Sequence, residues 1–164
     1  IVQNNRTNIQ ILDLRPTLLE NKNKNLLFYK TDTHWNRYGA YLGAKTILQI
    51  LGYDIQNYYQ NDPNFTQKKL VEPKDLVTLM TDYNIFDDYE MIPTPLVVKN
   101  TSPDKIRVFV VSFGLPLNEY LEPIFSNMRF IRLPEFSYDL VEKEQARFVI
   151  WEIVGRYGTN LFHP

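Results

Sequence analysis

Residues 106–111 read Ile-Arg-Val-Phe-Val-Val, the strongest strand signal in the chain. A near-continuous β-branched and aromatic run predicts a strand buried on both faces. It breaks at Ser112-Phe113-Gly114. A helical pattern follows in residues 115–125, a strand in 128–133, a helix in 136–146 and a strand in 147–154. Strand, helix, strand, helix, strand in that order implies right-handed crossovers and a parallel α/β sheet with helices on its faces.

The upstream half is less regular. Residues 8–14 alternate and predict a strand ending on Asp13; a short helix follows, with Pro16 near its first turn. Residues 26–30 predict a second short strand. Tyr38, Tyr41, Leu42, Ile47, Leu48 and Leu51 then recur at three- and four-residue steps, an amphipathic helix closed by Gly52. Asn36 is its expected N-cap. Residues 53–73 read as irregular loop and 73–80 as a short helix. Residues 82–105 read as an excursion with one short strand at 95–99.

Bulk properties exclude several functions. At 164 residues with 44% apolar side chains, the chain is expected to form one domain burying about two-thirds of its unfolded surface. The net charge of −1 carries no basic stretch longer than Lys68-Lys69, so nucleic acid is not an expected partner. Absence of cysteine removes disulfides, thiolate zinc sites and thiol nucleophiles, and fits an oxidising compartment. No apolar run approaches the ~20 residues of a membrane span.

In an open parallel sheet, sites form beyond the C-terminal strand ends. Ser112 lies there, where helix-start N–H groups could stabilise an oxyanion; alternatively it caps the following helix. Asp32 and His34, two apart in an extended segment, point to one side. Such a carboxylate can fix the imidazole tautomer and leave the other nitrogen free as a base. Asp, His and Ser are the three parts that activate a hydroxyl. The alternative is a structural His34 packed on Trp35. A metal site would need more ligands than His34 and His163, and none is expected. Trp35, Tyr38 and Tyr157 are candidate sugar-stacking surfaces, or core.

Residues 29–48, Tyr-Lys-Thr-Asp-Thr-His-Trp onward, resemble the Asp-Thr-His-Trp signature of alginate O-acetyltransferases of the AlgJ/AlgX type. These are SGNH-hydrolase-like domains of bacterial polysaccharide acetylation. Residues 11–36 are similar to the family's lead-in, 73–80 to its Gly-Asp-Leu helix, 108–131 to its nucleophile strand and helix, and 148–157 to its last strand. The resemblance spans 9–157 in order. It implies an SGNH-hydrolase-like, flavodoxin-like parallel sheet with helices on both faces. It also implies a single domain over 1–164 that lacks an N-terminal strand-bearing portion.

By this resemblance Ser112 is the nucleophile, His34 the base and Asp32 its orienting acid. Phe113, Gly114, Arg156, Tyr157 and Trp35 are candidates for oxyanion or substrate contacts. The implied activity moves acetyl through an acyl-serine to hydroxyls of an exported polysaccharide, without cofactor. The acetyl donor would come through a membrane-bound acyltransferase partner, in the periplasm or at the cell surface. Two residues depart from the pattern: Val111 stands where the family usually has Asp, and Gly155 where it has Glu. Those departures keep open a catalytically weak glycan-binding or scaffold module, and water taking the acetyl group in place of a sugar would make the protein a carbohydrate acetyl esterase.

Overall fold

A computed structural model describes residues 9–72, 74–78, 87–132 and 138–154. The strong strand forms as β3 (Ser102–Val110), flanked in parallel by β4 (Phe125–Arg132) and β5 (Phe148–Trp151), in the order β4-β3-β5. Ile106 lies opposite Met128 on one side and Phe148 on the other. Strand pleating splits β3 into two faces. Ile106, Val108 and Val110 join the main core, whereas Phe109 is fully buried outside that cluster. Buried Arg107, on the same face as Phe109, pairs with Glu144 at the end of helix α5 (Tyr138–Glu144). Helices therefore meet both faces, as expected.

The main-core side is covered by α2 (Arg37–Ile50), which packs on residues 112–117, on α4 (Asn118–Leu121) and on α1 (Arg15–Asn21). The Asn36 side chain accepts from the N–H groups of Tyr38 and Gly39, so the expected N-cap forms. At the other end Tyr53 N–H donates to Leu48 O and Gly52 N–H to Gln49 O, a Schellman closure. Pro16 occupies the first turn of α1.

Several sequence expectations are corrected. Residues 9–14 carry a single bridging position, Gln10, rather than a strand; Ile9 and Ile11 lie exposed while Leu12 and Leu14 pack on the core. Residues 26–30 reduce to one bridge, Phe28 to Trp35, because the chain turns straight back. The predicted loop 53–73 contains β1 (Phe65–Lys69), antiparallel to β2 (Tyr89–Pro93). Its Thr-Gln-Lys-Lys tail is exposed and gives no apolar alternation; Phe65 alone turns inward, onto Tyr38 and Tyr41. Residues 95–99 keep only a bridge from Val98 to Tyr59. The short helix expected at 73–80 appears as α3 (Asp75–Thr78). The helix expected at 115–125 is a 3₁₀ segment, Ser112–Leu117, followed by the single turn of α4. Pro116 lacks the N–H that an α-helix would use there.

Candidate active site

Ser112 opens the 3₁₀ segment two residues beyond the end of β3, the central strand of the three, and lies exposed. His34 reaches it from the loop before α2. His34 Nε2 lies 2.8 Å from Ser112 Oγ, and His34 Nδ1 lies 2.5 Å from Asp32 Oδ1. A carboxylate only accepts, so Nδ1 carries the proton and the Nε2 lone pair faces the serine hydroxyl. Exposure falls along the row, from the open serine to 25% for the His34 side chain and 11% for Asp32. The carboxylate is thus the best shielded from water, where its pull on the imidazole is strongest.

Asp32 and His34 do not meet through strand pleating. Residues 30–34 form a bend, and Asp32 Oδ1 also accepts the His34 backbone N–H at 3.0 Å. Two clamps hold this bend. At its exit, Asn36 N–H donates to Leu27 O at 2.9 Å and the Asn36 amide to Leu26 O at 2.7 Å. At its entry, the buried Asp88 carboxylate accepts the Lys30 N–H, the Thr31 N–H and the Thr31 hydroxyl at 2.5–3.0 Å. Burial pushes the Asp88 carboxyl up, but these bonds and one from Tyr89 N–H outweigh it and hold the group below the usual carboxylate range. Tyr29 adds a hydroxyl bond to Glu90 on β2.

The other expected site residues separate. The Phe113 ring sits 4.5 Å from the His34 ring, centroid to centroid, and walls the imidazole. Trp35 and Tyr38 are buried, so neither offers a face for a sugar. The Trp35 indole N–H instead donates to Phe113 O at 2.8 Å, tying the serine turn to the start of α2. The Gly114 N–H is also not available to an oxyanion. It closes the turn onto Val111 O at 3.0 Å. Among the described residues, no acceptor engages the N–H of Ser112 or Phe113. Gly155, Arg156, Tyr157 and His163 lie outside the described residues. Among those described, no group of three or more His, Asp or Glu could hold a metal, and no helix is long and apolar enough to cross a membrane.

Glu152 and Asp88 were not singled out from the sequence. Glu152 follows β5 directly, and its Oε2 accepts the Val111 N–H at 3.0 Å beneath the serine turn. Burial pushes its carboxyl up, against the pull of the Val111 N–H and of His34. An acid ending an apolar strand was the available signal. Asp88 fell in a segment read as an excursion, where no pattern marked it.

The family profile described as SGNH hydrolase-like domain, acetyltransferase AlgX, matches residues 2–105, which include Asp32, His34 and Trp35 and stop before Ser112. No curated protein sequence matches the chain. Several solved structures do, among them the following three. The O-acetyltransferase domain of Pseudomonas putida AlgJ aligns over 88% of this chain and 59% of its own, with a TM-score of 0.57 and 18% identity. A DHHW family protein from Eubacterium siraeum aligns over 88% and 64%, with a TM-score of 0.55 and 14% identity. Bacillus cereus PatB1 aligns over 80% and 63%, with a TM-score of 0.53 and 14% identity, and has also been solved with a sulfonyl adduct. At such identities the likeness is one of fold, and the chain spans about three-fifths of the length of these structures. With the profile covering well over half of its residues, the chain belongs to the AlgX-type SGNH hydrolase-like acetyltransferase domains.

Proposed function

We propose that the chain is a serine O-acetyltransferase that passes an acetyl group to hydroxyls of an exported polysaccharide. The observation that carries this reading is the unbroken row Asp32–His34–Ser112, at 2.5 and 2.8 Å. Ser112 Oγ attacks the carbonyl carbon of an acetyl ester while His34 Nε2 takes its proton. Asp32 keeps the imidazole in the tautomer that can do so and favours the imidazolium that forms. The tetrahedral oxyanion accepts from the N–H groups of Ser112 and Phe113. The ester C–O bond breaks, the leaving alkoxide takes the proton from His34, and acetyl-serine remains. A sugar hydroxyl then gives its proton to His34 and attacks the acetyl carbon, and the serine leaves with that proton.

Family membership supports the acetyl group and a polysaccharide acceptor. It further supports work outside the cytoplasm, and we extend the proposal to an acetyl donor delivered by a membrane-bound acyltransferase. Exposure of Ser112 also admits water as acceptor, which gives acetate and the esterase reading. The acceptor therefore decides the product. The test is incubation with an activated acetyl ester, with mass spectrometry of the protein and of added oligosaccharides. Acetyl on Ser112 and on the sugar is expected, with Ser112→Ala and His34→Ala slower by on the order of 10⁶-fold. Acetate as the sole product would select the esterase. Equal turnover by all three proteins, with glycan still retained, would select the binding module.

A further inference from the structure

We propose that Glu152 is a positioning residue that holds the Val111–Gly114 turn in the one place where Ser112 can meet His34. This deepens the reading of Ser112 as nucleophile and rests on it. Glu152 bridges the rim of the sheet at both ends of its own structure. Its backbone N–H donates to Phe109 O on β3 at 2.8 Å, and its carboxylate crosses to the Val111 N–H at 3.0 Å, the residue before the serine. Gly114, two residues after the serine, packs against the same carboxylate, while its N–H closes the turn onto Val111 O at 3.0 Å. The acid therefore bonds the turn just before Ser112 and walls it just after.

The site is built around that carboxylate. A Cβ at Gly114 would lie 2.9 Å from Glu152 Oε2 and 2.3 Å from a Val110 methyl carbon, so only glycine lets the turn settle onto the acid. A half-buried carboxylate costs desolvation that Val111 alone does not demand, because a backbone carbonyl could satisfy one N–H without charge. What the acid adds is a rigid acceptor for the N–H just before the reacting hydroxyl and a surface for Gly114 just after it. Negative charge there also favours the imidazolium formed as Ser112 loses its proton. With Val111 in place of the acid expected before the nucleophile, support for the turn comes from across the sheet.

The test compares Glu152→Ala and Glu152→Gln in the full chain, by kcat, KM and rate of Ser112 modification with a small sulfonyl fluoride. Glu152→Ala should lower kcat about 10²-fold, the scale of a displaced reacting group, with KM within about twofold. Sulfonylation should slow in parallel. Glu152→Gln, whose amide oxygen can still accept, should recover most of the loss. Unchanged kcat in Glu152→Ala, or the same loss in both variants, overturns the proposal. Should Glu152→Ala not fold, amide proton shifts in the His34→Ala protein give the answer. The Val111 amide should move as Glu152 titrates, and a flat Val111 shift overturns the proposal. Ser112→Ala with full turnover would instead remove the nucleophile reading itself.

Discussion

Asp32 does two jobs with one oxygen: it takes the imidazole Nδ1–H and the His34 backbone N–H. Asp32→Asn can keep the shape but can present an N–H to Nδ1, selecting the tautomer that cannot accept from serine. Activity should fall by about 10⁴-fold with KM little changed, read by steady-state kinetics on an activated acetyl ester. Trp35 offers a milder contrast. Trp35→Phe keeps an aromatic ring in the core but leaves Phe113 O without its indole donor. That should cost about 1 kcal/mol in a denaturant melt and lower kcat further than stability alone explains, because the orphaned carbonyl belongs to the serine turn. At this scale the hydrogen-bonded trio was legible: an acid two residues before a rare histidine, and a serine where the strongest strand breaks. The local geometry was not, since a bend rather than an extended segment joins Asp32 to His34. The part played by Trp35 was not legible either, because an indole beside a helix start reads the same whether it faces sugar, core or a carbonyl.

Among the elements, α2 is the one whose placement sets the site, and it was read from its periodicity and cap. Its first turn sits hard against residue 27: a Cβ on Gly39 would meet Leu27 O at 2.5 Å. Gly39→Ala therefore pits two effects against each other. Helix propensity favours alanine by about 1 kcal/mol, but the clash is with backbone, which cannot rotate away. The helix start must withdraw from Leu27, straining the Asn36 clamp and the His34 bend with it. The variant should be less stable than the native protein by thermal melt and should lose activity more than tenfold. A more stable, equally active Gly39→Ala would show that the 27–39 approach does not position His34. The pair β1–β2 escaped sequence reading for a related reason: what holds it is contact with α2 through Phe65. Strand periodicity reports burial by a sheet's own face, and an exposed Thr-Gln-Lys-Lys strand has none to report.

At the scale of the whole molecule, chain order alone was enough to predict a parallel sheet with its site on the C-terminal rim. What chain order could not carry is the set of paired and buried carboxylates at both ends of the sheet and under the site, and these give the molecule a characteristic response to pH. Asp88 is held low by bonds that overcome its burial, Asp104 by Tyr53 and Arg147, and Glu144 by Arg107 and Arg129. A carboxyl depressed in the fold contributes stability above its unfolded value, about 4, and loses it as pH falls through the folded value. Glu152 has the opposite sign. Its carboxyl is raised by burial, so ionising it opposes folding, and that cost sets in as pH rises from its unfolded value, about 4, through its folded value. The two trends predict a melting temperature that rises modestly as pH falls through the folded Glu152 value and then drops steeply below about 4. Glu152→Gln should flatten the upper limb and leave the lower one in place. Asp88→Asn should do the reverse. It faces an amide N–H₂ either toward the two Thr31 donors that now bond Oδ2 or toward the Lys30 and Tyr89 N–H groups that now bond Oδ1, costs about 1–3 kcal/mol at neutral pH, or about 2–4 °C per kcal/mol, and removes part of the acid-side loss. Calorimetric scans of the three proteins from pH 7 to 2.5 check both limbs at once. An upper limb unchanged in Glu152→Gln would mean that the acid beneath the serine turn carries no folding cost at all.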